Sequence, residues 1–173
     1  VGNAANSMSY WTFTDIFEEA GPRFTPFHGG FGLVNTQGIK KAAYFSYAFM
    51  NKLGDKEIQN SDKSSWATKN ANGDAQLLFW NFTYTLPEKD VNNQAYYSKD
   101  LPSKPKGTVK IEMTGLQKGK YKVEIYKVGY KVNDAYTAYI EMNKPSQLTL
   151  QQVKELKQKS NGLPIATEQV TID

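Results

Sequence analysis

The chain has 173 residues, with 21 basic and 17 acidic side chains, a net charge of +4, one histidine and no cysteine. That length suits one ordinary domain, or a domain with a piece of another, and is long enough to bury a core without staples. The absence of cysteine excludes disulfide scaffolds, thiolate zinc sites, iron–sulfur clusters and thiol nucleophiles, and a lone His28 excludes a multi-histidine metal site.

The first predicted element is a strand over residues 7–17, where polar and apolar β-formers alternate. Glu18 and Glu19 stand at its C-terminal end, and Gly21-Pro22 breaks it. A loop rich in glycine follows over residues 20–38, with Phe24, Phe27 and Phe31 set between the glycines, a pattern of ordered and functional loops. Helical spacing then runs from Ile39 to Leu53, with Gly54 as its expected C-cap.

Beyond Gly54 the pattern becomes antiparallel. Ser64–Ala71 and Ala75–Thr85 around Asn72-Gly73-Asp74 predict a hairpin, whose second arm is apolar enough for a central strand. Residues 86–107 read as a long polar connection. Thr108–Leu116 and Lys120–Val128 predict two further strands joined by a turn at Gln117-Lys118-Gly119. Short helices are expected over Asp134–Met142, capped by Asn133 or Asp134, and from Leu150 to about Lys159, capped by Thr149 and stopped by Asn161-Gly162. The tail from Leu163 to Asp173 reads as a last strand. The domain boundary is placed where strand–loop–helix grammar gives way to antiparallel grammar: residues 1–54 form one βα unit and residues 55–173 a β-sandwich with two short helices. A single βα unit is not a domain; it is the piece from which (β/α)₈ barrels of about 250 residues are made, with functional side chains at the C-terminal ends of strands. The fold class expected is therefore mainly β with some α.

Two motifs are specific: the run Ser9-Tyr10-Trp11-Thr12-Phe13-Thr14-Asp15-Ile16-Phe17-Glu18-Glu19, and Pro26-Phe27-His28-Gly29-Gly30-Phe31-Gly32-Leu33. Together they resemble glycoside hydrolase family 39, the family of bacterial β-xylosidases and α-L-iduronidases, and the wording is closer to the β-xylosidases. The likeness continues through Lys52-Leu53-Gly54-Asp55, Leu78-Phe79-Trp80-Asn81, Tyr126-Lys127-Val128-Gly129-Tyr130, Asn133-Asp134-Ala135-Tyr136, and Gln152-Val153 with Leu156, so it covers almost the whole chain. The resemblance implies a retaining glycosidase with a (β/α)₈ barrel, two catalytic glutamates at the ends of its fourth and seventh strands, and a β-sandwich beside the barrel. Both catalytic positions would precede Val1, leaving no catalytic residue in this chain, which would not be active alone. The expected partners are a carbohydrate of xylose type and the remainder of the barrel.

Each candidate residue has a functional and a structural reading. Trp11 is either a core tryptophan or, by the resemblance, the platform on which the sugar stacks in the glycone subsite. Glu18 and Glu19 are not a catalytic pair in a regular strand, because adjacent strand residues point to opposite faces, whereas retaining chemistry needs two carboxyls about 5–5.5 Å apart flanking one bond. The resemblance makes them acceptors for glycone hydroxyls, the alternative being an exposed acidic loop. His28 in its glycine-rich loop reads as structural rather than as a general base, and Asp15 as a buried acceptor that braces the loop. Tyr96, Tyr97, Tyr126 and Tyr130 read as packing residues before sugar binders. Neither a metal nor a cofactor is expected.

The rival reading from another class is a non-catalytic carbohydrate-binding or interaction module. A third keeps the family and changes the glycone to a uronic acid, which Glu18 and Glu19 would repel and for which Arg23 is the only arginine. Nucleic acid is not an expected partner, since the lysines are scattered among Glu, Asp and Gln rather than clustered with arginine. No apolar run approaches the ~18 residues of a membrane span, so no membrane is expected either.

Overall fold

The structure is a computed structural model that describes residues 6–16, 23–82, 104, 105 and 107–173. Among the described residues the helices are α1 (Ala42–Met50), α2 (Ala135–Glu141) and α3 (Leu150–Lys159). Among the described residues the strands are β1 (Lys56–Ile58), β2 (Ser65–Lys69), β3 (Ala75–Phe79), β4 (Gly119–Ile125) and β5 (Ala166–Ile172). The ladders among the described residues are antiparallel, β1-β2-β3 in one sheet and β4-β5 in another. The chain divides into two compact units, Val1–Phe45 with Val128–Asn161, and Ser46–Lys127 with Gly162–Asp173. This division by packing differs in outline from the one drawn by sequence grammar: α2 and α3 group with the first 45 residues rather than with the strands.

The first unit is built on its helices. Asp134 caps α2, its Oδ1 accepting from the Thr137 backbone N–H at 3.2 Å. Thr149 and Gln152 form a reciprocal capping box on α3, satisfying two backbone donors that a helix start otherwise leaves open. So supported, α2 packs on α3 and closes a core of Ile39, Ala135, Ala138, Tyr139 and Leu156, with Phe27, Tyr136 and Val153 against it. The Phe27 ring lies 5.0 Å from that of Tyr139 and meets Tyr136 edge-on at 5.9 Å, arrangements that aromatic quadrupoles favour. The Tyr139 hydroxyl donates to the Pro145 carbonyl at 3.0 Å, and burial pushes its pKa up from the ordinary value of 10.0.

The second unit is built on its hairpin. Ser65 to Lys69 faces Phe79 to Ala75 in unbroken register, and Gly73, at φ +87°, supplies the left-handed turn residue. In the other sheet, the alternation of β4 puts Tyr121, Val123 and Ile125 on one face, opposite Val170, Glu168 and Ala166 of β5.

Four expectations are corrected. Residues 6–16 form no strand: only Thr14 bridges, in parallel to Val34, because a parallel strand needs a ladder and the segment meets only the 33–34 return among the described residues. Gly54 is not a helix cap. The helix ends at Met50 and tightens through Leu53 N–H to Met50 carbonyl. Gly54 instead lies against β2, its N–H donating to Thr68 Oγ1 at 2.9 Å and Gln76 Oε1 at 3.0 Å, where a Cβ would come within 2.2 Å of the Lys69 carbonyl. Among the described residues β3 has β2 as its one sheet neighbour, which puts β2, not β3, in the centre. Finally, residues 108–116 form no strand, and β4 pairs with the tail strand β5 instead of with that neighbour.

Candidate functional site

The candidate site is the segment from Tyr10 to Asp15 and the loop that returns to it. The Leu33 N–H donates to the Thr12 carbonyl at 3.2 Å and the Val34 N–H to the Phe13 carbonyl at 3.0 Å. The Asp15 N–H closes the set on the Val34 carbonyl at 3.0 Å. Further up, the Tyr10 hydroxyl donates to the Phe31 carbonyl at 2.9 Å. The Trp11–Thr12 peptide is cis.

On this frame Trp11 is 66% exposed, so within this chain it is not a core tryptophan. Phe13 and Phe31 are exposed to a similar degree, and Tyr10 is half-exposed. Exposed aromatics at this density present apolar ring faces together with a polar edge, the surface character on which a pyranose ring can stack.

Behind the aromatics lies a buried polar knot. Asp15 is completely buried. Its Oδ1 accepts from the Gly32 N–H at 2.8 Å and from Lys41 Nζ at 2.7 Å, and its Oδ2 lies 2.7 Å from the same ammonium. Lys41 Nζ also donates to the Gly30 carbonyl at 3.0 Å. The His28 side chain is nearly buried, with Nε2 3.9 Å from Asp15 Oδ2. Its imidazole is thus used inside the loop rather than presented to solvent, and the bracing role read for Asp15 from the sequence is the one it has here. Gly32 is required by close approach, since a Cβ there would lie 2.4 Å from the Asp15 backbone nitrogen. The loop has a second brace in Asn35, also buried. Its Oδ1 accepts from the N–H groups of Gln37 and Ile39, and its Nδ2 donates to the Pro26 carbonyl at 3.1 Å.

Sequence reading passed over Lys41 and Asn35. Lys41 did leave a signal. A cation immediately before a helix whose first turn carries no acid opposes the helix dipole, which points to a partner elsewhere. Glu18 and Glu19 lie outside the described residues, as do Tyr96 and Tyr97. Tyr126 and Tyr130 are each engaged locally: the Tyr126 hydroxyl donates to Glu124 Oε2 at 2.9 Å under the Lys52 ammonium, and Lys131 Nζ stands 5.5 Å from the Tyr130 ring. Among the described residues no three acidic or histidine side chains are grouped to hold a metal ion, and no helix is long and apolar enough to cross a membrane.

Sequence and fold together put the chain among the glycosyl hydrolases. It belongs to family 39 of that class, whose model matches residues 1–171. Over 154 residues, 86% of its length, it is 32% identical to a β-xylosidase of Caldicellulosiruptor saccharolyticus, of which it covers 28%. Over 80 residues, 46% of its length, it is 40% identical to a β-xylosidase of Geobacillus stearothermophilus, of which it covers 16%. Among solved structures, it superimposes on the family 39 enzyme of Xanthomonas axonopodis pv. citri with a TM-score of 0.90 and 35% identity, covering 99% of this chain and 33% of that one. A monomeric β-xylosidase from Caulobacter crescentus CB15 gives 0.86 at 35% identity, covering 96% of this chain and 33% of that one. The chain therefore spans a third or less of the length of these relatives.

Proposed function

We propose that this chain is the C-terminal portion of a retaining, β-xylosidase-like hydrolase, and that it builds one wall of the glycone pocket. The observation that carries this reading is Trp11, two-thirds exposed in a family 39 chain and held on a hydrogen-bonded frame beside a glycine-rich loop. Residues 1–54 act as the last βα unit of a (β/α)₈ barrel and residues 55–173 as the sandwich that supports it. The two antiparallel sheets are in keeping with that assignment.

In this account the two bond-breaking glutamates lie on polypeptide preceding Val1, on either side of the glycosidic bond, and a covalent glycosyl-enzyme forms and is hydrolysed between them. This chain holds the sugar for that chemistry. Trp11 stacks on the apolar face of the glycone. Glu18 and Glu19 accept hydrogen bonds from its distal hydroxyls, each charge-assisted contact worth about 1.5–3 kcal/mol, enough to set glycone selectivity. Two anionic acceptors also favour a neutral pentose over a uronic acid.

The test is steady-state kinetics of the full-length polypeptide that carries this chain, with Glu19→Gln assayed on aryl glycosides of several sugars. The expected result is a loss of kcat/KM of about tenfold or more on the xyloside, with smaller losses on sugars lacking the bonded hydroxyl. Unchanged kcat/KM across all glycones would refute the assignment.

A further inference from the structure

We propose that the buried Asp15–Lys41 ion pair is a positioning device for the glycone wall, fixing the Trp11–Asp15 segment so that the indole meets the sugar in one orientation. The proposal rests on the reading of Trp11 as the sugar platform. It adds two residues that never touch the sugar.

The energetics point away from a merely stabilising role. A carboxylate with no exposure has given up its hydration, and an apolar brace of similar volume would commonly hold the same loop as well or better. What a charged pair adds is direction. The single Asp15 carboxylate ties the Gly32 N–H at 2.8 Å and the Lys41 ammonium at 2.7 Å, while that ammonium also takes the Gly30 carbonyl at 3.0 Å. Three pieces of chain therefore converge on one point: the segment carrying Trp11, the glycine-rich loop and the start of α1. The convergence is close-packed, because at Gly32 even a methyl group would enter the Asp15 backbone. It lies four residues from Trp11, and the intervening Thr12 and Phe13 carbonyls are bonded to Leu33 and Val34. Rotation of the segment about its axis would break every one of these bonds. Lys41 stands where the helix dipole disfavours a cation, as expected of a residue retained for its partner.

The experiment uses the full-length polypeptide and five variants: Asp15→Asn, Lys41→Met, Lys41→Arg, Trp11→Ala, and Asp15→Asn combined with Lys41→Met. Each is assayed at a temperature well below its own Tm for the inhibition constant of free xylose and for kcat and KM on an aryl β-xyloside. Asp15→Asn and Lys41→Met are each expected to weaken xylose binding by about tenfold or more, the scale on which small misplacements act. Combining them should be no worse than the weaker single variant, because both break one device. Lys41→Arg, which keeps the charge, should recover part of the loss.

Xylose binding within about twofold of the parent in Asp15→Asn, with only Tm lowered, would overturn the positioning role. If Trp11→Ala weakens xylose binding in the same experiment, the platform reading survives that failure. If Trp11→Ala leaves xylose binding unchanged, the platform reading falls and the positioning role falls with it. Should Asp15→Asn not fold, the lysine variants decide: equal xylose constants for Lys41→Met and Lys41→Arg would overturn the proposal.

Discussion

The helical unit and the sheet unit spend their apolar residues differently. In the first, Ile39, Phe45, Ala135 and Leu156 are all within 1% of complete burial. In the second, Thr68 is the only buried residue among those described, and Trp66, Phe79, Val123 and Ile125 all remain 40% exposed or more. Burial stabilises in proportion to apolar area removed from water, so the two units differ in how much a lost methylene matters. The helical unit is held by its interior. The sheet unit is held by backbone ladders and by a few polar contacts such as Gly54 on Thr68 and Gln76.

The sharpest way to break this comparison is a pair of truncations followed by urea denaturation. Leu156→Ala should cost about 2–5 kcal/mol, the range for a large aliphatic side chain removed from a closed core. Val123→Ala, at a side chain already 40% exposed, should cost less than about 1 kcal/mol. Equal losses would show that the sheet faces are buried in solution. Next in size is Gly54→Ala, expected to destabilise the sheet unit by about 1–3 kcal/mol because its methyl group would enter the Lys69 carbonyl. Urea denaturation followed by fluorescence of Trp66 and Trp80 reads that loss.

Two pH limbs give smaller effects. Tyr139 has its pKa raised by burial, so its neutral form is favoured in the fold. The stability this adds is complete below about pH 10 and lost as pH climbs through the higher folded-state value. Thermal melts of Tyr139→Phe should show a shallower alkaline decline than the parent. The Glu141 carboxyl is held below its usual 4.5 by the hydrogen bond from Lys131 and by the charge of that lysine. Its contribution is present above that value and fades as pH falls toward the lowered one, so Glu141→Gln should flatten the acid limb slightly. Both groups are exposed, which makes this the weakest effect, and added salt should shrink it further.

The sequence was most legible where local chemistry dictates structure. Thr149 announced α3, the pair Asn133 and Asp134 announced α2, and Asn72-Gly73-Asp74 placed the hairpin turn between Lys69 and Ala75. It was least legible where the outcome depends on distant partners. Alternation in residues 7–17 and 108–116 encodes a capacity to pair, but a ladder needs a neighbouring strand: among the described residues the first segment meets only the short return at Leu33 and Val34, and the second forms no ladder. Gly54 looked like a cap because a glycine after a helix usually is one. Its close approach to β2 depends on a contact fourteen residues away. Of the loop frame, the brace at Asp15 could be read from the sequence, whereas Lys41 and Asn35 take their meaning only from the loop that folds back on them.

The most direct check on the central claim, that this chain binds the sugar while other polypeptide breaks the bond, is turnover of an aryl β-xyloside by the purified 173-residue chain. The account predicts no hydrolysis above the uncatalysed background, alongside activity in the full-length polypeptide. Measurable turnover by the chain alone, abolished by Glu18→Gln or Glu19→Gln, would contradict it and move the bond-breaking chemistry into this segment.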